Sequence, residues 1–215
     1  EKPYGGRGVL LGGVPGVPAA DVVIIGAGTV GASAAKVAIG MGAQVSIIDR
    51  NLDRLRILDD LYGGRIKTFA SNPAHLEQST RYADLLIGAV LVVGARTPKI
   101  VSEEMVKKMK KGSVIIDVAV DQGGSIETID RVTTHADPIY EKHGVIHYAV
   151  SNMPGAVART STFALANATL PYALELANNG CEKAALNNQA LARGVNTYRG
   201  MLTCRAVAES LNLDY

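Results

Sequence analysis

Short apolar runs rich in β-branched residues alternate with helical segments over the first 150 residues, and this alternation constrains the fold more than any other feature. Strands that alternate with helices of this length indicate a parallel sheet with right-handed crossovers. The runs are almost continuously apolar, which indicates a sheet covered on both faces. We therefore expect an α/β fold, a doubly wound parallel sheet (Rossmann) followed by C-terminal helices. The six predicted strands are residues 22–26, 44–49, 65–70, 84–89, 113–119 and 145–150.

Three regions follow from the composition along the chain. Residues 1–20 are rich in Gly and Pro and predict a connector. Residues 21–150 predict the domain that holds the sheet, and residues 151–215 predict a helical segment. Within that segment we expect Pro171 to kink or break a helix, because proline lacks the N–H group that an inner helical turn requires.

Gly26, Gly28 and Gly31 form a G-x-G-x-x-G pattern directly after the first predicted strand, where a helix begins. In a dinucleotide-binding turn the first glycine permits the tight turn, the second lets the backbone approach a pyrophosphate, and the third lets the helix pack closely on the strand. The helix N-terminus adds unpaired N–H groups and a positive dipole end. The pattern alone is weak, but its position between a strand and a helix predicts that residues 21–150 bind a dinucleotide.

An acidic residue, Asp49, ends the second predicted strand. A carboxylate at this position of a dinucleotide-binding domain accepts hydrogen bonds from the adenosine ribose hydroxyls. Its charge repels a 2′-phosphate, so the sequence favours NAD over NADP. Arg50 follows immediately and could in principle receive that phosphate, and the sequence does not show which side chain faces the ribose.

Composition excludes several function classes. The formal net charge of +2 indicates neither a nucleic-acid partner nor a membrane surface. No apolar stretch reaches the roughly 18 residues of a membrane span, and the chain does not start with a signal-peptide pattern. Two cysteines without a C-x-x-C pattern are compatible with a cytoplasmic location and predict no metal site. Nor do the four histidines have metal-ligand spacing; they are His75, His135, His143 and His147.

Several long stretches strongly resemble the bacterial alanine dehydrogenase family, which also includes the NAD-binding subunit of nicotinamide nucleotide transhydrogenase. They are "GGRGVLLGGVPGV", "IIDRNLDRLR", "IGAVLVVGARTPKIV", "DVAVDQGGSIET", "HADPIY" and "NMPGAVARTSTFALANATLPYALELA". The resemblance covers essentially the whole chain and is closer to alanine dehydrogenase than to transhydrogenase. It implies an NAD-dependent enzyme that interconverts L-alanine with pyruvate and ammonia.

The resemblance assigns a catalytic role to Asp121, beside the nicotinamide. Asp121 follows the fifth predicted strand, and open α/β sheets bind ligands at the carboxyl ends of their strands. A carboxylate there is suited to orient the substrate amine or a water and to offset developing charge. The alternative is that Asp121 only caps its loop. For Asp117, four residues earlier, we expect a structural hydrogen-bonding role.

The remaining cofactor contacts are implied only by the resemblance. For the apolar members, in particular Val118 and Val150, simple core packing is the alternative. Asn179 stands where some relatives have a histidine, so no metal site is carried over. The implied contacts are Arg54, Ser71, Val90, Leu91, Val118, Ala119, Val120, Val150, Ser151, Asn152 and Met153.

The resemblance also implies a part that this sequence does not contain. Family members have a long N-terminal lobe that holds the substrate, and their C-terminal helices pack on it. The chain therefore resembles the cofactor part of the enzyme, as a fragment, a piece of a longer chain or one product of a split gene whose lobe is a separate chain. Homo-oligomers, usually hexamers, are expected. Two other functions stay open, namely an NAD-binding module without turnover and a transhydrogenase subunit.

Overall fold

A computed structural model describes residues 1–92 and 97–215. These residues form two compact units, the first made of residues 1–91 and 97–151, and the second containing residues 152–215. Residues 93–96, part of the stretch "IGAVLVVGARTPKIV", lie outside the described residues.

The first unit contains a seven-stranded sheet with the strand order β3-β2-β1-β4-β5-β7-β6. All neighbours are parallel except β6 and β7. All six predicted strands are present, and the expected α/β fold is confirmed. The strands are β1 (Asp21–Ile25), β2 (Gln44–Asp49), β3 (Ile66–Ala70), β4 (Leu85–Gly88), β5 (Val114–Asp117), β6 (Ile139–Lys142) and β7 (Val145–Tyr148).

Two details of the sheet differ from the prediction. The edge strand β6 was not predicted, because its four residues mix apolar and charged side chains and none of them is fully buried. The predicted strand 113–119 ends at Asp117, and the chain then forms a 3₁₀ turn at Val120–Gln122. Val118 and Ala119 therefore belong to a loop rather than to a strand.

Four helices connect the strands, and side-chain caps fix where three of them begin. The Asn51 side chain accepts hydrogen bonds from the N–H groups of Asp53 and Arg54, and Asn72 caps its helix through the N–H of His75. Ser102 accepts from the N–H of Met105, which confirms it as an N-cap. The helices are α1 (Thr29–Gly40), α2 (Leu52–Tyr62), α3 (Pro73–Tyr82) and α4 (Glu103–Lys107).

The central strands are buried on both faces. In β1, Val22 and Ile24 pack into one apolar cluster, while Val23 and Ile25 pack into another. Successive side chains of a strand point to opposite faces, so the two clusters lie on opposite sides of the sheet. Such double burial requires the continuous apolar strands seen in the sequence.

The second unit is mainly helical, and its longest helix passes through Pro171 without ending. Its backbone leaves helical geometry instead at Gly180, with φ 75° and ψ 163°. A break at Pro171 is therefore wrong, and a kink there stays a prediction. The positive φ falls on Gly180, because glycine adopts it without a Cβ clash. The elements are α5 (Ala158–Asn187), α6 (Gln189–Gly194), β8 (Thr197–Tyr198), β9 (Met201–Leu202) and α7 (Arg205–Leu211).

Helix α5 carries many exposed apolar side chains, among them Phe163, Leu165 and Leu186. Ala184 is its one buried residue within the part of the chain that the structure describes. The exposed surface is what the sequence predicts for a helix whose partner lies elsewhere, and packing on a further lobe stays a prediction. Over residues 1–92 and 97–215, no helix has both the length and the apolar character to cross a membrane.

Candidate functional site

The carboxyl ends of β1, β2, β4 and β5 meet at one edge of the sheet because these strands are parallel. The register aligns Ile25 with Ile48 and with Gly88, and Gly88 with Asp117. The loops that follow these strands therefore emerge side by side. Sequence reasoning assigned most of the candidate site residues to them.

The glycine loop, residues 26–31, is built around two close backbone approaches. Gly26 has φ 107°, and a Cβ at this position would lie 2.5 Å from the carbonyl oxygen of Ala89. A Cβ on Gly31 would lie 1.8 Å from the carbonyl oxygen of Gly26. Both positions exclude any larger residue, so the tight turn and the close approach of α1 to β1 are features of the structure.

Gly28 differs from Gly26 and Gly31 because there is open space where its Cβ would lie. The nearest atom to a Cβ at this position is Nη1 of Arg54, at 4.0 Å. Gly28 is also the N-cap of α1 and supplies no side-chain cap. A cleft of about 280 Å³ opens here, lined by Ala27, Gly28, Thr29, Ala32, Arg54, Ile57 and Leu58.

This cleft fits a diphosphate. The first N–H groups of a helix lack intrahelical acceptors and carry the positive end of the dipole. The exposed Arg54 guanidinium adds a full positive charge beside them. The absence of a side chain at Gly28 leaves room for an anion to reach these donors.

Asp49 ties the glycine loop to the end of β2. Its Oδ2 accepts a hydrogen bond of 2.6 Å from the N–H of Ala27, and its Oδ1 accepts one of 2.7 Å from the N–H of Asn51. Sequence reasoning did not anticipate these contacts. An ionised carboxylate has about four lone-pair positions, so Asp49 can still accept from ribose hydroxyls. Ser71 lies next to it, since its N–H donates to the Asp49 carbonyl at 2.9 Å.

Asp121 lies in the 3₁₀ turn after β5, with its side chain exposed. The hydroxyl of Ser151 donates a hydrogen bond of 2.8 Å to its Oδ1. The fold thus brings together two predicted site residues that are thirty positions apart. Neighbouring N–H groups of this loop, those of Ala119, Ser125 and Ile126, bind another carboxylate, so loop capping is carried out by a different residue.

That residue is Asp117, which is fully buried at the end of β5. It accepts hydrogen bonds from the N–H groups of Ala119 at 3.0 Å, Ser125 at 2.6 Å and Ile126 at 3.2 Å. Burial raises the pKa of the Asp117 carboxyl, while these three hydrogen bonds and the charge of Lys99 oppose the rise. The expected structural role of Asp117 is confirmed.

The apolar candidates divide by burial. Ala119, Val120 and Val150 are buried in the core, in agreement with the packing alternative stated for Val150. Val118 and Val90 are half-buried, and Leu91 is 62% exposed. Contact of all six with the cofactor remains a prediction. The same holds for Asn152 and Met153, which belong to the second unit.

The histidines have local partners. His147 is buried and its Nδ1 donates to the carbonyl of Val145, so its Nε2 accepts the hydroxyl proton of Thr128 at 2.8 Å. Burial lowers the pKa of the His147 imidazole. Within residues 1–92 and 97–215, no three His, Cys, Asp or Glu side chains form a group suited to a metal ion.

Lys99 is the residue near the site that sequence reasoning missed. Its Nζ donates hydrogen bonds to the carbonyl oxygens of Gly123, at 2.6 Å, and Ile126, at 3.1 Å. A lysine in the stretch "TPKIV" resembles any surface lysine in sequence. The signal that would have identified it, its contact with the carbonyls of Gly123 and Ile126, exists only in three dimensions.

Comparison with known proteins gives a consistent result. A family model described as "Alanine dehydrogenase/PNT, C-terminal domain" matches residues 1–205. The alanine dehydrogenase of Methanococcus maripaludis is 60% identical over 215 residues, which cover 100% of this chain and 58% of that protein. A solved L-alanine dehydrogenase has 53% identity and a TM-score of 0.88, covering 99% of this chain and 58% of that one.

A more distant structure is the transhydrogenase from Sinorhizobium meliloti. It has a TM-score of 0.68 and 25% sequence identity, and the match covers 88% of this chain and 51% of that one. The chain spans a little more than half the length of the relatives that it matches.

Proposed function

Since the chain belongs to the family of the alanine dehydrogenase/PNT C-terminal domain, we propose that it is the NAD-binding part of an alanine dehydrogenase. The proposed reaction is the reversible oxidative deamination of L-alanine to pyruvate and ammonia. NAD, when bound, supplies the hydride acceptor for this reaction.

The observation that carries the proposal is the open backbone at Gly28, at the uncapped N-terminus of α1 and beside Arg54. The loop leaves space at the one glycine where a diphosphate would need it, and no space at the other two. Asp49 then adds a carboxylate one strand away, bonded to the loop itself at Ala27. A diphosphate and an adjacent ribose are the chemical pair that such a site recognises.

We assign NAD rather than NADP to this site because of the Asp49 carboxylate, whose negative charge opposes a 2′-phosphate. Calorimetry with the purified chain tests this assignment. NADH should bind at least about tenfold more tightly than NADPH, equivalent to one unfavourable charge contact of about 1.4 kcal/mol. Equal affinities would contradict the assignment and would point to Arg50 or Arg54 as the phosphate partner.

On the catalytic side, Asp121 is the group that we place beside the reacting atoms. The hydroxyl of Ser151 already occupies one lone pair of its Oδ1 and fixes the direction of the carboxylate. We assign the other oxygen, Oδ2, to hold the substrate amine or a water and to balance positive charge during the reaction. Ser151 is in this view a positioning residue, since it acts through Asp121.

The Asp121→Ala variant of the full-length protein tests this role. Turnover of L-alanine should fall by on the order of 10²-fold or more, the usual contribution of one acid/base group. Affinity for ADP-ribose, which lacks the nicotinamide, should stay unchanged. Asp130→Ala is the matched control, because Asp130 forms a surface ion pair with Lys142. Unchanged turnover in Asp121→Ala would refute the catalytic assignment.

The relatives are substantially longer than this chain, so we expect the 215 residues alone to bind NADH without turning over L-alanine. Binding measured by calorimetry, together with no NADH formed from NAD and L-alanine, is the expected result. Turnover by the chain alone would show that groups outside these 215 residues are not needed. The proposal also includes a cytoplasmic location and a homo-oligomeric full-length protein; the two free cysteines agree with the former.

A further inference from the structure

The loop that carries Asp121 is held from two sides by groups to which the catalytic assignment gives no role. We call residues 117–126 the carboxylate loop. It contains two consecutive glycines in the left-handed region, Gly123 with φ 92° and Gly124 with φ 71°. Such a turn offers its N–H and C=O groups in directions that regular structure does not satisfy, so other groups must bind them.

On the inner side, the buried carboxylate of Asp117 binds the N–H groups. Three of the loop's N–H groups converge on it, and the hydroxyl of Ser125 adds a long fourth contact of 3.4 Å. The lack of a side chain at Gly88 leaves space for the Asp117 carboxylate and the Ser125 hydroxyl. A Cβ on Gly88, in the neighbouring strand β4, would lie 2.5 Å from the Ser125 hydroxyl and 3.4 Å from Asp117 Oδ1.

On the outer side, the segment 97–101 binds the carbonyl groups. The N–H of Thr97 donates to the Gln122 carbonyl at 2.9 Å, and the Lys99 ammonium donates to the Gly123 and Ile126 carbonyls. The N–H of Ile100 donates to the Ser125 carbonyl at 2.7 Å. Four carbonyls of the carboxylate loop therefore accept hydrogen bonds from residues 97–101, namely those of Gln122, Gly123, Ser125 and Ile126.

The side chains of Asp117 and Lys99 lie close to each other across the turn. A Cβ on Gly124 would lie 3.0 Å from Asp117 Oδ2 and 3.5 Å from Lys99 Nζ. An anion and a cation therefore approach the same glycine, one binding N–H groups and the other binding C=O groups. Hydrogen bonds that involve a charged partner are the stronger and more directional ones.

We propose that Lys99 and Asp117 are positioning residues, which fix the carboxylate loop so that Asp121 and the adjoining backbone meet the nicotinamide half of the dinucleotide. This inference rests on the proposed function. The inference goes beyond the proposed function by naming Lys99 as a determinant of how the reactive end of the cofactor is held. The side chain of Lys99 lies outside the sheet. Neither residue touches the reacting atoms in this assignment.

The test uses Lys99→Met, because Lys99 is solvent-exposed and methionine keeps the apolar part of its side chain. The ligands are NADH and ADP-ribose, measured by calorimetry with the same chain. ADP-ribose reports on the glycine loop and Asp49, and the ratio of the two dissociation constants reports on the nicotinamide half. In the unmodified chain NADH should bind more tightly than ADP-ribose.

In Lys99→Met, the dissociation constant of NADH should rise by roughly fivefold to tenfold, the effect of about one charge-assisted hydrogen bond. That of ADP-ribose should change by less than about twofold, and the melting temperature should stay within a few degrees. Amide hydrogen exchange should speed up at residues 123–126 and not in the glycine loop. Lys99→Arg, which retains donors, should recover part of the NADH affinity.

Lys108→Met is the matched control, since Lys108 is an exposed lysine paired with Glu77 on the surface. It should change neither dissociation constant. If Lys99→Met binds both ligands as the unmodified chain does, the positioning role is overturned and the proposed function stands. Equal affinity of the unmodified chain for NADH and ADP-ribose would also overturn it. If the unmodified chain binds neither ligand, the proposed function fails and the inference fails with it.

Discussion

The glycine loop after β1 and the carboxylate loop after β5 lie at the same edge of the sheet, on either side of β4. The glycine loop is shaped by side chains that are missing, because Gly26 and Gly31 let backbone approach backbone. The carboxylate loop is shaped by side chains that are present, because Asp117 and Lys99 bind its unpaired polar groups.

This difference shows that two ways of stabilising an irregular loop have different weak points. A loop built on close approach fails when any atom is added, whereas a loop built on charged partners fails when one partner is removed. We expect the first to be sensitive to volume and the second to be sensitive to hydrogen bonding and to pH. Each prediction below tests one side of this difference.

The largest expected effect is that of Gly31→Ala. The added Cβ would lie 1.8 Å from the Gly26 carbonyl oxygen, so α1 must move away from β1. The free energy of unfolding should fall by about 3 kcal/mol or more, at the upper end for overpacked sites. Urea unfolding followed by circular dichroism measures it. A loss below about 1 kcal/mol would show that close approach is not what shapes this loop.

A somewhat smaller loss is expected for Asp117→Asn, which keeps the volume and removes the charge. An amide nitrogen cannot accept, so at least one of the three N–H groups loses its buried partner. Unfolding free energy should fall by about 2 kcal/mol, the cost of an unsatisfied buried group. The control is Asp130→Asn at the surface, where a change within about 0.5 kcal/mol is expected. Equal losses of unfolding free energy in Asp117→Asn and Asp130→Asn would show that the carboxylate loop does not depend on its charged partner.

For Gly28→Ala we expect a change in binding and little change in stability. Gly28 has φ −74°, which alanine adopts easily, and among the described residues the nearest atom to its Cβ would be Nη1 of Arg54 at 4.0 Å. Unfolding free energy should stay within about 1 kcal/mol. The dissociation constant of ADP-ribose should rise by about tenfold or more, because the Cβ occupies the space of the diphosphate. Together with Gly31→Ala, this variant separates the glycine that shapes the loop from the glycine that admits the ligand.

The smallest expected effect is a pH dependence of the free energy of unfolding, which we expect to arise next to the carboxylate loop and not in the glycine loop. His147 binds Thr128, two residues beyond that loop, and burial lowers its pKa in the folded chain. The unfolded chain therefore takes up a proton at a higher pH than the folded one. Neutral His147 therefore contributes to the free energy of unfolding above pH 6.5, the ordinary pKa of histidine. This contribution is lost as the pH falls below that value.

Urea unfolding at a series of pH values between about 7.5 and 5.5 measures this effect on both sides of the histidine value. The unmodified chain should lose stability over this range, and His147→Gln, although less stable, should lose less. Amide exchange should accelerate near Thr128 and not in residues 26–31. An identical pH profile in the variant would show that His147 does not contribute to the pH dependence.

Much of the fold could be predicted because its causes are local. Strand β2 was predicted to the residue, since an apolar run there begins after a glycine turn and ends at the polar pair Asp49 and Arg50. Ser102 was identified as an N-cap because a serine before two glutamates is a local signal. Strand β6 was missed because its position at the edge, which removes the need for apolar residues, is a property of the whole sheet.

The candidate site was predicted unevenly for the same reason. The positions of Gly26, Gly28, Gly31 and Asp49 follow from a short motif that sets the turn between a strand and a helix in dinucleotide-binding domains. The pairing of Asp121 with Ser151, by contrast, depends on the parallel register of β5 with β7. Lys99 carried no sequence signal at all.

The sequence by itself determined the alternation of strands and helices, the double burial of the sheet and the shape of the glycine loop, because these depend on side-chain volume and periodicity over a few residues. Only the tertiary structure decided which polar groups meet. Asp117 binds three N–H groups, Lys99 binds two carbonyls and Asp49 binds the glycine loop, because the fold brings these side chains next to backbone groups of opposite polarity that regular secondary structure leaves unpaired.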